Sequence, residues 1–144
     1  MKAKLKEELV AFLQNALATA EAAHANAIEG TTHSESKSEG DKDTRATEAS
    51  YVARGQAMRI EELRTGLIAV EKMSIDAHEK IASGSLVTVG EKKYFVAPAG
   101  GGTMLAGKVQ VVTPKSPLGR ALCGKEEDDE VEVNARTLTI TRIE

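Results

Sequence analysis

The stretch QVVTPKSPLGRALCGKEEDDEVEV, residues 110–133, decides the fold of this chain. It opens with a β-branched run that is typical of a strand, and Pro114 ends that run. Ser116 can cap a short helix that has Pro117 in its first turn. Gly124 can end the same helix, because glycine readily adopts the left-handed conformation found there. The stretch therefore predicts a strand, a tight turn and one short helix.

The second half of this stretch predicts a return to the sheet. The residues expected to face inward from the short helix are Leu118, Ala121 and Leu122. An acidic turn follows, and Val131 and Val133 then alternate with glutamates as in a half-buried strand. Together the elements indicate a small α+β domain.

The composition favours a helical part beside this domain. The chain has 144 residues, a net charge of −3 and 3% aromatic residues, with no Trp. Such a chain forms one domain, or a small domain with a helical appendage. Its mild acidity disfavours autonomous nucleic-acid binding. Without a signal peptide or a long apolar run, it is expected to be a soluble cytoplasmic protein. Cys123 stands alone, so it forms no intramolecular disulfide and is expected to be a small core residue.

Residues 3–29 are predicted to form one long helix, which Gly30 would end. Positions spaced by four and three residues suggest a coiled-coil seam. The predicted seam residues are Leu5, Leu9, Phe12, Ala16, Thr19 and Ala23. Leu13, Leu17 and Ala20 would widen the apolar stripe. At 1.5 Å per residue the helix is on the order of 40 Å long, more than a small core needs.

A polar segment, residues 30–45, separates this helix from a second one. It has no aliphatic residue and no Phe, Tyr or Trp, so it cannot form a core and is interpreted as a tip. The second helix would begin near Asp43 or Thr44 and run to about Ile81. Its apolar positions are Tyr51, Met58, Ile60, Leu63, Leu67, Val70, Met73 and Ile75. Two such helices predict an antiparallel coiled-coil hairpin over residues 1–82, with a compact bundle or a dimeric coiled coil as alternatives.

Residues 83–144 are predicted to form the β-rich domain. Short strands are expected on either side of the Gly90-Glu91 turn, at 86–89 and 94–96. Further strands at 108–113, 131–134 and 137–143 would complete a small antiparallel sheet. The last run, TLTITRI, alternates, but the alternation alone leaves open which face is buried.

The stretch from Ser116 to Asp129 closely resembles the C-terminal domain of the bacterial Gre transcript-cleavage factors, GreA and GreB. The matching residues are Ser116-Pro117, Arg120-Ala121-Leu122, Gly124-Lys125 and the acids at 126–129. The resemblance implies an N-terminal antiparallel helical hairpin followed by an FKBP-like domain. That order matches the order of elements predicted above.

The resemblance also implies a function in transcription elongation. Gre factors dock at the rim of the RNA polymerase secondary channel and extend the hairpin into it. Acidic tip residues there help to hold a second Mg²⁺ and a water, so that the polymerase cleaves backtracked RNA. The protein would stimulate the polymerase rather than act as an enzyme alone. It would share Mg²⁺ with the polymerase active site, bind none stably alone, contact nascent RNA only indirectly, and need no membrane or small-molecule substrate.

The tip supplies the candidate catalytic residues. They are Glu39, Asp41, Asp43 and Glu48, with Asp41 and Asp43 as the metal ligands in complex with polymerase. Carboxylates fit this role because Mg²⁺ prefers oxygen ligands. Gly40-Asp41 resembles the start of the Gre tip motif. Thr44, however, stands where that motif has Glu, so the Asp/Glu pair is out of register.

The candidate polymerase-binding residues are Lys115, Ser116, Pro117 and Arg120. Lys115 departs from the family, in which Asp or Asn commonly precedes Ser-Pro, and such a charge change can alter affinity or partner.

Two further functions stay open. One is a channel-binding regulator or inhibitor without cleavage activity, and the other is a non-channel interaction protein that uses the FKBP-like domain. An autonomous enzyme is not favoured. The chain has no His/Cys metal motif, and His24, His33 and His78 are expected to be surface residues.

Overall fold

The computed structural model describes residues 1–35 and 42–144, and the side chains of residues 1–26 and 51–144. Two long helices come first, α1 (Lys2–Glu35) and α2 (Lys42–Lys72). Over the rest of the described chain a six-stranded sheet follows, with one short helix, α3 (Pro117–Leu122). The α+β fold class predicted from the sequence is confirmed. None of the helices in the described part is long and apolar enough to cross a membrane.

The chain divides into two compact units. One unit contains Met1–Phe12 and Gly66–Glu144, and the other contains Leu13–Thr65. The predicted domain limits, 1–82 and 83–144, are not tested by this division and stay a prediction.

In the unit Leu13–Thr65, the two helices run antiparallel. Arg64 Nη2 of α2 lies 3.1 Å from Glu21 Oε1 of α1. Further along α1, His24 and Ala25 line the same small cleft as Ala57 and Ile60 of α2. Residues later in α1 thus face residues earlier in α2, as in an antiparallel pair. The helical hairpin predicted from the two apolar stripes is present.

The buried face of α1 differs from the predicted seam. Phe12 has 48% of its surface exposed, and Thr19 and Ala23 are also exposed. Leu5 and Leu9 are buried as predicted, and so is Leu13, which was predicted to widen the stripe; the line continues through half-buried residues at 16, 17, 20 and 24. The seam prediction was therefore wrong at Phe12, Thr19 and Ala23, because the helix keeps a buried stripe closer to its own 3.6-residue period than to a strict heptad.

The buried positions of α2 also differ in part from the prediction. Tyr51 and Met58 are 65% and 62% exposed. Ile60, Leu63, Val70 and Met73, in contrast, are buried as predicted. Apolar character alone therefore did not identify the buried face of α2. It did so only for the predicted residues from Ile60 onward, where apolar side chains recur at helical spacing.

The ends of the two long helices need correction. Gly30 does not end α1, which continues to Glu35. The α2 helix ends at Lys72 rather than near Ile81. Ile81 belongs to the sheet unit instead: its N–H donates to the Lys125 carbonyl at 2.9 Å, and its carbonyl accepts from the Gly124 N–H at 2.8 Å. A residue held by these two bonds cannot also continue a helix. Of the predicted tip, residues 36–41 lie outside the described part of the chain.

The sheet unit also holds the first turns of α1. Lys6 Nζ donates to the Met73 carbonyl, just beyond the end of α2, at 2.9 Å. Glu8 accepts from the Ala106 N–H through both oxygens, at 3.1 and 2.9 Å. These contacts satisfy backbone groups that the helix end and the turn leave unpaired.

The strands are β1 (Leu86–Val89), β2 (Lys92–Val96), β3 (Met104–Leu105), β4 (Val109–Val112), β5 (Glu130–Val133) and β6 (Arg136–Ile143). Their order in the sheet is β3-β4-β2-β1-β6-β5. Neighbours are antiparallel except β2 and β4, which are parallel. The sequence prediction of an antiparallel sheet therefore missed this parallel pair, and it also missed the two-residue strand β3.

A β-bulge determines which face of β6 is buried. Val87 lies opposite Ile143 and Thr88 opposite Arg142, but Val89 lies opposite Ile140. The extra residue shifts the alternation, so that Ile140 and Ile143 are buried whereas Arg142 is exposed. The question left open by the sequence is settled by this bulge.

Helix α3 packs on the core of the sheet unit. Leu122 is fully buried, and Leu118 and Ala121 pack against the same cluster, as predicted. The buried cluster comprises Ile81, Val87, Val89, Tyr94, Val96, Val112, Leu122, Val131, Ile140 and Ile143.

Candidate docking site

The turn before α3 is fixed by the hydroxyl of Ser116. Ser116 Oγ accepts from the Gly119 N–H at 3.0 Å and donates to the Thr113 carbonyl at 2.8 Å. Pro117 occupies the first turn of the helix, where its missing N–H leaves no bond unmade. The cap predicted from the sequence is observed, and the second bond of the hydroxyl joins the helix to the end of β4.

Gly119 brings α3 directly against the preceding strand. A β-carbon at this position would lie 1.8 Å from the Thr113 carbonyl oxygen and 3.0 Å from the Pro114 Cα. No side chain fits, so the turn between Thr113 and Gly119 has little room to rearrange. Sequence reasoning missed this role, although a glycine inside a six-residue helix is a signal for close backbone approach.

The C-terminal end of α3 is anchored as well. The Cys123 N–H donates to the Gly119 carbonyl at 2.9 Å, and Gly124 follows with φ of +83°. Cys123 is half-buried beside the core, and burial raises the pKa of its thiol. A raised pKa lowers the thiolate fraction at neutral pH, which fits the predicted packing role rather than a nucleophile.

The fixed turn borders an open cleft of about 910 Å³ in the sheet unit. Ser116, Pro117 and Leu118 form one side of it. The ends of two β-hairpins form another part of its rim, Glu91-Lys92 from the β1–β2 hairpin and Asn134 with Arg136 from the β5–β6 hairpin. Its apolar lining includes Val89, Tyr94, Val112, Val133 and Leu138.

The structure separates the four predicted polymerase-binding residues into two pairs. Ser116 and Pro117 line the cleft. Lys115 and Arg120 are exposed close to them in sequence, but they do not line it. Sequence reasoning missed the hairpin residues of the rim, because strands far apart in the sequence meet there only in the folded sheet.

The comparisons with known proteins give the following result. No protein-family model matches this chain, and no curated protein matches it. Among solved structures, the chain is similar to the GreA factor homolog 1 (Gfh1) of Thermus thermophilus, with a TM-score of 0.41 and 19% identity over 94% of each chain. A second structure, of the transcription factor Gfh1, gives a TM-score of 0.40 and 19% identity over 94% of this chain and 93% of the other. Gfh1 of Thermus aquaticus gives 0.37 and 19% over 91% and 90%.

The candidate catalytic tip is only partly within the described chain. Glu39 and Asp41 lie outside it, and Asp43 and Glu48 fall in α2 as backbone whose side chains are not described. Within the described residues, no group of three or more His, Cys, Asp or Glu side chains has the arrangement of a metal site. The tip carboxylates are outside that statement, so their metal-binding role stays a prediction.

Two of the three histidines are less exposed than expected. His24 and His78 are half-buried, and the Nδ1 atom of each is sealed from solvent without a hydrogen-bond partner among the described residues. Both residues still line open clefts at the surface, so they are partly exposed surface residues in which one ring nitrogen is covered. His33 has no described side chain.

Proposed function

We propose that this protein is a Gre-like transcription factor that binds RNA polymerase at the secondary channel, with the Ser116-Pro117 turn in the contact. The observation that carries the proposal is the double anchoring of this turn: Ser116 bonds to both Thr113 and Gly119, and the Gly119 backbone packs directly against the Thr113 carbonyl. Ser116 and Pro117, two of the residues that resemble the Gre factors, lie in this turn.

A rigid turn is well suited to docking. Ordering a loop on binding costs about 0.5–1.5 kcal/mol for each immobilised side chain, and a preformed turn avoids much of that cost. The exposed Lys115 and Arg120 lie on either side of Ser116-Pro117 in the sequence. Their positive charges favour an acidic partner surface, and they influence the association rate more than the final affinity.

Promotion of RNA cleavage is the finer part of the proposal. It requires Asp41 and Asp43, with Glu39 and Glu48 near them, to supply carboxylates to Mg²⁺ in the polymerase active site. Mg²⁺ usually keeps several waters and takes one or two carboxylates from a protein, so two tip residues suffice. The polymerase would supply the remaining ligands and carry out the hydrolysis.

A channel-binding regulator without cleavage activity is the second candidate. One observation favours it: Thr44 replaces the Glu of the Gre tip motif, three residues after Asp41. A hydroxyl is a weaker Mg²⁺ ligand than a carboxylate, so this change reduces the charge available at the metal.

The test is binding to core RNA polymerase, followed by a cleavage assay on a backtracked complex. We expect wild type to bind and the double variant Lys115→Glu/Arg120→Glu to bind at least about tenfold more weakly, because two charges are reversed beside the turn. Lys108→Glu is a control for charge reversal away from the Ser116-Pro117 turn, since it reverses one exposed charge in the β3–β4 turn of the same unit. Absence of wild-type binding at micromolar concentration would overturn the proposal.

The cleavage assay distinguishes the two candidates. Stimulated cleavage by wild type supports the factor, whereas binding without stimulation, together with displacement of a Gre factor, supports the regulator.

A further inference from the structure

The cleft beside Ser116-Pro117 is lined by a mostly buried tyrosine whose hydroxyl has no hydrogen-bond partner among the described residues. Tyr94 is only 8% exposed, and its ring packs in the core cluster. Among the described residues its hydroxyl forms no hydrogen bond, and it is not one of the polar atoms that are sealed from solvent. Because Tyr94 lines the cleft, its hydroxyl is available to a ligand there. Because this hydroxyl is open to solvent, a ligand that accepts its hydrogen bond replaces water rather than a protein partner.

Two hairpins place positive charges at the rim of the same cleft. In the β1–β2 hairpin Lys92 lies opposite Val89, and in the β5–β6 hairpin Arg136 lies opposite Val133. All four residues line the cleft. Each hairpin thus contributes one apolar side chain and one cation at the end where its strands turn.

The charge of the cleft is opposite in sign to that of the chain. The lining residues carry two cations, Lys92 and Arg136, against one acid, Glu91. The whole chain has a net charge of −3. The same lining also contains the apolar side chains of Val112, Leu118 and Leu138. The complementary ligand therefore combines an apolar group with negative charge.

We propose that this cleft binds a segment of a partner protein in which an aliphatic side chain is flanked by carboxylates. The aliphatic group packs on the apolar lining, the carboxylates pair with Lys92 and Arg136, and a backbone carbonyl accepts a hydrogen bond from the Tyr94 hydroxyl. The inference rests on the proposed function, because the cleft is continuous with the Ser116-Pro117 turn. It adds the chemistry of the partner segment that would bind at that site. This continuity favours a protein segment over a free small acid.

The test uses full-length ¹⁵N-labelled protein and a seven-residue peptide with a central Leu flanked by Asp on both sides. Two matched peptides replace the flanking Asp by Lys, or the central Leu by Gly. We expect the Asp-Leu-Asp peptide to bind with millimolar affinity and to shift the amide resonances of the cleft residues. The Lys peptide and the Gly peptide should cause much smaller shifts at the same concentration.

Variants assign the contacts. Tyr94→Phe keeps the ring and should weaken the affinity for the Asp-Leu-Asp peptide by about three- to tenfold, as expected for the loss of one neutral hydrogen bond. Lys92→Glu/Arg136→Glu should abolish its binding, whereas Lys108→Glu should leave it unchanged. Unchanged thermal unfolding of Tyr94→Phe shows that the fold is retained, and Tyr94→Leu provides a second variant without the hydroxyl.

Several results would overturn the inference. They are the absence of shifts in the cleft with the acidic peptide, equal binding to Tyr94→Phe and wild type, and equal binding of N-acetylaspartate, which would indicate a small-acid site. Core RNA polymerase, tested in parallel, keeps the two proposals apart. Peptide binding without polymerase binding supports the inference about the cleft and contradicts the proposed function. Polymerase binding without peptide binding supports the proposed function and contradicts the inference about the cleft.

Discussion

The carbonyl oxygen of Thr113 occupies the space that a side chain at Gly119 would need, since a β-carbon there would lie 1.8 Å from it. Helix α3 and the end of β4 are therefore in backbone contact at this point. The first prediction follows directly from that contact.

Gly119→Ala should destabilise the protein by about 2–3 kcal/mol or more, because an added methyl group must displace backbone rather than a flexible side chain. Gly55→Ala is the matched control, as a β-carbon there meets nothing within 4 Å and alanine favours the interior of α2. Urea unfolding of both variants measures the difference. Equal stability of Gly119→Ala and wild type would mean that α3 is not seated against Thr113.

Ser116→Ala should cost about 1 kcal/mol of stability, because it leaves the Gly119 N–H without its cap and removes one of the two hydrogen bonds to the Thr113 carbonyl, which keeps the bond from the backbone N–H of residue 116. Ser116→Thr retains the hydroxyl and should recover most of the loss. Denaturant midpoints of the two variants check this expectation. If Ser116→Thr were as unstable as Ser116→Ala, the hydroxyl bonds would not be the cause.

Ala135→Gly should stabilise the protein by about 0.5–1 kcal/mol. Asn134 and Ala135 form the turn between β5 and β6 with φ of 52° and 62°, and only glycine adopts such values without a steric cost. Ala121→Gly serves as the control. Ala121 lies within α3, where replacing alanine by glycine should destabilise the protein. A lower melting temperature for Ala135→Gly would contradict the turn geometry.

Cys123 should react with iodoacetamide more slowly in the folded protein than in urea. Burial raises the pKa of its thiol, so the folded protein holds less thiolate than the unfolded chain at the same pH. The unfolded state loses its proton first as pH rises above the ordinary thiol pKa, and the thiol therefore lowers the stability of the fold in that range. The rate difference should narrow once pH exceeds the native pKa. Equal rates near neutral pH would show that the thiol is not buried.

Asp41→Asn/Asp43→Asn should lower any stimulated RNA cleavage by about tenfold or more while changing polymerase affinity by less than about twofold. A carboxylate that positions a metal stabilises the transition state, whereas the turn and the helices supply the binding. Glu7→Gln/Glu29→Gln in α1 removes the same number of negative charges and is the charge-matched control. Undiminished cleavage by the double variant would remove these residues from the proposed site.

The sequence predicted the elements whose signals are local. Ser116 and Pro117 cap α3 as expected, and β1 has the predicted bounds, because a capping hydroxyl, a proline and a Gly90 turn act within a few residues. The end of α2 was missed because Ile81 is held by Gly124 and Lys125, more than forty positions away. The buried face of β6 depended in the same way on a bulge opposite Thr88 and Val89. The rim of the cleft could not be predicted from local signals, because it forms only when the β1–β2 and β5–β6 hairpins meet in the folded sheet.

The central position of β1 has a consequence for the order of folding. Its neighbour β2 follows after a two-residue turn, but its other neighbour, β6, lies about fifty residues later in the chain. As the chain emerges from the ribosome, the β1–β2 hairpin can form early while the other edge of β1 stays unpaired, with the fully buried Leu86 and Val87 on it. An unpaired apolar edge invites association with other chains. We therefore expect residues 136–143 to be the segment whose pairing with β1 protects the nascent protein from aggregation.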